Sequence, residues 1–232
     1  MQVMVFGATG AIGRPLVAML RAAGHEVVGT TRSVDRAEEL RAAGVEPVVV
    51  DAFDAGSVLA TVAAARPDVI INQLTDLAAG FDDASLRRNA RLRIIGTRNI
   101  VEAMLAAGVR RLLAQSAAWL YAPADHPRTE DDPLRSVGVD DAVLPGIVEL
   151  ERLTLTTPGV DGIVLRYGFL YGPGTVSDRP QDRPPVHVAA AARAASLAID
   201  RGGPGIYNVV DDGADVSNTR SRNVLGWAPT ER

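Results

Sequence analysis

The feature that most limits the fold is a glycine-spaced turn near the N-terminus, Gly7-Ala8-Thr9-Gly10-Ala11-Ile12-Gly13. It follows an apolar run, Val3–Phe6, that reads as a buried strand. It opens a stretch, Arg14–Ala23, with Pro15 near its start and Leu16, Met19 and Leu20 at helical spacing. Strand, glycine turn and helix in that order give such a motif its mechanism. Gly7 permits a tight turn, Gly10 lets a pyrophosphate approach the backbone, and Gly13 lets the helix pack on the strand. The helix N-terminus then offers free N–H groups and a positive dipole end to phosphates. Thr9, Ala11 and Ile12 lie between these glycines and are expected at the same site.

The alternation continues along the chain. Glu26–Gly29, Glu46–Val50, Asp68–Asn72 and Arg111–Gln115 read as strands. Val34–Ala43, Ala55–Ala65 and Asp82–Ala107 read as helices, the last closed by Gly108. Short strands separated by single helices make right-handed βαβ units and a parallel sheet covered on both faces. The expected class is α/β, a Rossmann-type doubly wound parallel sheet. The second half is less regular. Ala122–Gly138 holds three prolines and the acidic run Glu130-Asp131-Asp132, and reads as a solvated loop. Asp140–Leu155 reads as a helix with Pro145 awkward inside it, and Gly162–Arg166 as a strand. Gly172–Pro185 is a proline-rich loop, Val188–Asp200 a helix and Gly205–Val210 a last strand. The expected organisation is a dinucleotide-binding domain over residues 1–170. A reduced substrate-binding region over 171–232 would partly return to the main sheet.

Composition removes several chemistries. All 24 basic residues are arginine, so no step that needs a lysine amine is open to this chain. There is no cysteine, which excludes disulfides, thiolate metal sites and cysteine nucleophiles. The three histidines, His25, His126 and His187, lie far apart, and no metal site is expected. A net charge of −4 argues against nucleic acid or an anionic membrane as partner. The apolar runs are too short to span a bilayer, so a cytoplasmic location is the default expectation.

The end of the second strand reads Gly29-Thr30-Thr31-Arg32-Ser33. An acid there would bond a ribose 2′-OH, whereas an arginine meets a 2′-phosphate. Thr31, Arg32 and Ser33 therefore favour NADP(H) over NAD(H). Arg32 as a solvated surface residue is the plainer alternative. Asp51, at the end of the third strand, suits either an adenine amino group or a turn cap.

These pieces together resemble the short-chain dehydrogenase/reductase superfamily, in its extended branch of NAD-dependent epimerases and dehydratases, and its atypical NADP-binding members. The likeness rests on Gly7–Gly13, Asp51, Asn72-Gln73-Leu74 and Gly96–Ala103. It also rests on Ala114–Tyr121 and Leu165-Arg166-Tyr167-Gly168-Phe169-Leu170-Tyr171-Gly172-Pro173-Gly174. His187-Val188 and Leu225-Gly226-Trp227 complete it. The resemblance implies that Ala52, Gln73, Leu74 and Tyr167 also line the cofactor. It implies too that Tyr121 and Ser116 are the first candidates for catalysis.

The chain departs from the family where the chemistry usually sits. The usual pair is a tyrosine with a lysine four residues on, whose ammonium lowers the phenol's pKa. Here there is no lysine, and Asp140–Leu155 has no tyrosine. Counting back from Tyr121 puts Ala117 where a hydroxyl residue is usual, with Ser116 one place earlier. Arg93 stands where the family often has asparagine, and could hold an anion or pair with a carboxylate. Glu149 and Glu151 could serve as bases but more often pair on a helix of this kind. The expected activity is a simple NADP(H)-dependent reduction of a small activated carbonyl, imine or alkene. A non-redox isomerase, cyclase or lyase, or a regulator that binds NADP(H) without turnover, are the alternatives. A homodimer through Asp82–Ala107 and Asp140–Leu155 is allowed by Leu92, Ile95, Ile100, Met104, Val143, Ile147 and Leu150.

Overall fold

A computed structural model describes residues 1–77, 80–138 and 140–230. The chain runs β1 (Gln2–Phe6), α1 (Gly13–Ala22), β2 (Glu26–Thr31), α2 (Val34–Ala42), β3 (Glu46–Val49) and α3 (Ala55–Ala65). Then come β4 (Val69–Asn72), α4 (Asp83–Ala106), β5 (Arg111–Ala117), α5 (Leu144–Thr156) and β6 (Asp161–Tyr167). The remainder is β7 (Phe169–Tyr171), β8 (Pro185–His187), α6 (Val188–Ala198) and β9 (Gly205–Val209). Seven strands form one sheet in the order β3-β2-β1-β4-β5-β6-β9, every neighbouring pair parallel. The fold is therefore the doubly wound α/β sheet that the alternation predicts.

Alternation within each strand divides the core. Val3 and Val5 of β1 pack with Leu16, Val17 and Leu20 of α1, with α6, and with Leu40 of α2. Met4 and Phe6 point to the other face, against Val58 and Val62 of α3, Ile100 and Met104 of α4, and Leu153 of α5. A strand covered on both faces reads as a continuous apolar run, as Val3–Phe6 does. The order reverses direction between β1 and β4, so the carboxyl edge opens a crevice there, where ligands of such sheets bind.

Several expectations are refined. Pro145 falls in the first turn of α5, where its missing N–H would have no helical partner, so α5 begins at Leu144. Tyr167 lies inside β6, and Phe169–Tyr171 beyond it forms a separate two-stranded parallel ladder with Pro185–His187. The acidic run is not all solvated. Glu130 is buried, and its Oε1 accepts the Asn208 N–H of β9 at 2.8 Å. Burial pushes its carboxyl above the usual range. Strand β9, from the 171–232 segment, lies in the main sheet beside β6; residues 231 and 232 of that segment lie outside the described residues. Leu92, Ile100, Met104, Ile147 and Leu150 are buried within this chain, so they are not available to another subunit.

Candidate active site

The glycine turn has the geometry its spacing predicts. Gly7 sits at φ +81°, and a Cβ there would stand 2.8 Å from the Gln73 carbonyl oxygen at the end of β4. A Cβ on Gly13 would meet the Gly7 oxygen at 2.2 Å, so only glycine lets α1 approach the turn. Gly10 differs: its added Cβ meets only the Gly7 oxygen, at 3.2 Å, and the space above it is open. The N-terminus of α1 has no side-chain cap, and no acidic residue lies in its first turn. Beside the turn, Gln73 donates from Nε2 to the Tyr167 hydroxyl at 3.3 Å, and its buried Oε1 has no partner among the described residues. An open cradle, an uncapped helix and an unpartnered amide oxygen fit a dinucleotide.

The flanks of this cleft are held by short polar bonds. Asn72 donates to Thr97 Oγ1 at 3.1 Å and accepts from the Leu74 N–H at 3.1 Å, which fixes the chain leaving β4. Ala52 is buried, and its carbonyl accepts from Asn99 Nδ2 at 2.8 Å. Asp51 is exposed and accepts the Phe53 N–H at 3.0 Å, while Asp54 is the cap of α3. Ser33 caps α2 through the Arg36 N–H, and the Thr31 hydroxyl accepts the Ser33 N–H at 3.2 Å. Arg32 lies exposed at the end of β2. Its Nη2 donates to Asp76 Oδ1 at 3.2 Å, in the segment after β4. Since β1 lies between β2 and β4, this pair crosses over the strand that carries the glycine turn.

The hydroxyls of Tyr121 and Ser116, the two expected for catalysis, both bond to partners within the chain. Ser116 is buried in β5 and donates to Glu151 Oε1 at 2.6 Å. Glu151 also takes a two-pronged pair from Arg166, at 2.8 Å and 2.6 Å. The Arg166 guanidinium lies 4.8 Å from the Tyr121 ring centroid. The Tyr121 hydroxyl donates to Asn208 Oδ1 at 2.7 Å. Burial pushes its phenol above the ordinary value, against the lowering by Arg166 and Asn208. Burial does the same to Tyr167, against the hydrogen bond from Gln73. Arg93 is buried too. It donates to the Gln115 carbonyl at 3.0 Å, and burial brings it down to about 10 while Glu151 opposes the shift. Glu149 pairs with Arg152 on the surface.

A cavity of about 330 Å³ opens past the carboxyl end of β5. Trp119, Leu120, Tyr121, Arg128, Arg135, Arg183 and Pro184 line it, together with the carboxylates of Asp182 and Asp215. Of these only Tyr121 is singled out by the sequence. The legible signal for the rest is a tryptophan placed just beyond a strand's carboxyl end. A larger hollow of about 420 Å³ lies around Arg66, Pro67 and Gly108–Arg110. It sits at the amino ends of β4 and β5, opposite the glycine turn, and so has no part in this site.

Comparison with known proteins accords with this geometry. The family model described as "NAD dependent epimerase/dehydratase family" matches residues 3–203. A 3-diazoavenalumate denitrifying reductase from a Streptomyces species is 42% identical over 231 residues, covering 95% of this chain and 73% of the relative. UDP-glucose 4-epimerase of Mycolicibacterium smegmatis is 34% identical over 143 residues, 58% of this chain and 45% of that protein. The crystal structure of Thermotoga maritima UDP-glucose 4-epimerase with UDP-glucose superposes with a TM-score of 0.81 at 18% identity. It covers 99% of this chain and 94% of that one. The Thermus thermophilus UDP-glucose 4-epimerase complex with NAD gives 0.77 at 23% identity, covering 99% and 85%. With its glycine turn, its sheet order and a match over residues 3–203, the chain belongs to the NAD dependent epimerase/dehydratase family.

Proposed function

We propose that this protein is an NADP(H)-dependent reductase acting on a small acceptor that needs little help from a general acid. The observation that carries the reading is the absence of the family's usual tyrosine–lysine pair. The chain has no lysine, α5 has no tyrosine, and Ser116 and Tyr121 spend their hydroxyls on Glu151 and Asn208. NADPH, when bound, supplies a hydride. Gly7, Thr9, Gly10, Ala11, Ile12 and Gly13 would hold its pyrophosphate. Asp51, Ala52, Gln73, Leu74 and Tyr167 would line the rest of the dinucleotide. Thr31, Arg32 and Ser33 would take the 2′-phosphate, with Arg32 turning from Asp76 to a more highly charged partner. An exposed pair such as Arg32–Asp76 is worth at most about 1 kcal/mol, so this exchange is easy.

The acceptor must supply its own reactivity. The Streptomyces relative is named for a diazo acid and for denitrification. A diazonium group that gains a hydride leaves as dinitrogen, with a C–H bond formed where the C–N bond breaks. No proton has to be delivered, and a site without tyrosine and lysine suffices. Acceptors of that electrophilic kind, or a small activated carbonyl, imine or alkene, fit this chain. Protein and acceptor would meet in the cytoplasm; no described helix is long and apolar enough to cross a membrane. The buried hydroxyls equally suit a regulator that binds NADP(H) without turnover.

Titration with NADPH and NADH tests the reading. NADPH is expected to bind more tightly. Arg32→Ala should remove most of that preference, a loss of at least about tenfold for a charge-assisted phosphate contact, with NADH nearly unchanged. Equal binding of the two nucleotides would overturn the NADP(H) assignment. Binding of neither would remove the reductase and the regulator together.

A further inference from the structure

The cavity beyond β5 is built unlike its surroundings. The whole chain holds only two tryptophans, four tyrosines and four phenylalanines. Yet Trp119, Phe169 and Phe81 gather at this one edge. Phe81 and Phe169 lie with ring centroids 6.3 Å apart, and Phe81 is 46% exposed, so the core does not require it. The Arg183 guanidinium stands 5.7 Å from the Trp119 ring centroid and 5.4 Å from that of Phe169. Two other cations of the wall are already neutralised: Arg128 pairs with Asp215 and Arg135 with Asp141. Among the described residues, no carboxylate lies within ion-pair distance of Arg183.

A guanidinium that stacks by its face keeps its in-plane N–H fork open, and that fork matches a carboxylate. Two neighbouring rings restrict the Arg183 side chain, so less of its freedom is lost when an anion arrives. The remaining wall is apolar at Ala118, Leu120 and Pro184 and carries two carboxylates: Asp215, which is paired with Arg128, and Asp182, which lies beyond ion-pair distance of Arg183. A volume of about 330 Å³ is at the small end of ligand sites, enough for one ring with a short chain.

We infer that this cavity binds the acceptor as a small planar aromatic or conjugated carboxylate, anchored by Arg183 and flanked by Trp119. The inference rests on the reductase reading for its biological use, but the binding itself can be measured separately. A nucleotide-sugar would need a far longer groove, and the family relative named for an acid agrees with the choice.

The test uses trans-cinnamate and its neutral isostere cinnamamide, titrated calorimetrically into the protein alone and into the protein with NADP⁺. Cinnamate is expected to bind both forms, and cinnamamide at least tenfold more weakly. Arg183→Gln should weaken cinnamate at least tenfold and leave cinnamamide unchanged. Trp119→Leu should weaken both ligands. Arg183 is exposed, so its variant tests the site without a folding defect; an unchanged melting temperature checks this. Equal affinity for acid and amide, or an Arg183→Gln variant that binds cinnamate normally, would overturn the inference. Absence of cinnamate binding beside normal NADPH binding would overturn it too, while sparing the cofactor assignment. Cinnamate binding without any nucleotide binding would do the reverse.

Discussion

At the residue scale, Tyr121 shows how position and role can separate. It lies just past β5 on the carboxyl edge, where a proton donor is expected, yet its hydroxyl is inside and bonded to Asn208. Tyr121→Phe is therefore expected to cost about 1 kcal/mol of stability, read as a lower melting temperature. Turnover of any accepted substrate should change less than about threefold, whereas loss of a general acid costs roughly 10²–10⁴. A fall of that size would restore Tyr121 to catalysis. What was legible at this scale is local: Gly7, Gly10 and Gly13 act within a single turn, and their spacing is enough. What was not legible depends on distant partners. Ser116 and Glu151 are 35 residues apart, Arg32 and Asp76 are 44, and Tyr121 and Asn208 are 87. No local pattern links them, and only the strand order brings them together.

At the scale of elements, α5 carries the clearest lesson. Apolar periodicity marks the helix, but its start depends on proline chemistry and on a capping side chain three residues upstream. Asp141 Oδ1 accepts the N–H groups of Val143 and Leu144, each at 3.0 Å, and its carboxylate also pairs with Arg135. Burial alone would raise this carboxyl, but those three donors outweigh it and hold the group at about 2, below its ordinary 3.8. A depressed folded-state value means the stabilisation is complete above about pH 4 and disappears as the pH falls toward 2. Asp141→Ala should thus lose about 1 kcal/mol at neutral pH by denaturant melt. The gap to the parent protein should close across that acid window, and a gap constant from pH 7 to pH 2 would contradict the cap. The helix packs closely as well. A Cβ on Gly146 would lie 2.6 Å from the Ala90 Cα, so α4 and α5 cross where one of them has no side chain. Sequence alone shows a glycine there without showing what it faces.

At the scale of the whole molecule, the parallel sheet was legible because six strand–helix alternations leave few other topologies. The reduced second region was less so, since β7, β8 and β9 are short and their pairing partners lie far along the chain. The placement of β9 beside β6 has a consequence for biosynthesis. About 40 residues separate Tyr167 from Gly205, and at roughly 5–20 residues per second a ribosome takes several seconds to make them. During that interval β6 ends the growing sheet, with a row of backbone N–H and C=O groups facing outward and Ile163, Val164 and Leu165 around them. A chain stopped before Gly205 should therefore collect in aggregates that the full-length protein avoids, as sedimentation of freshly translated material would show. Equal recovery of both in the soluble fraction would mean that another segment shields β6 until its neighbour arrives.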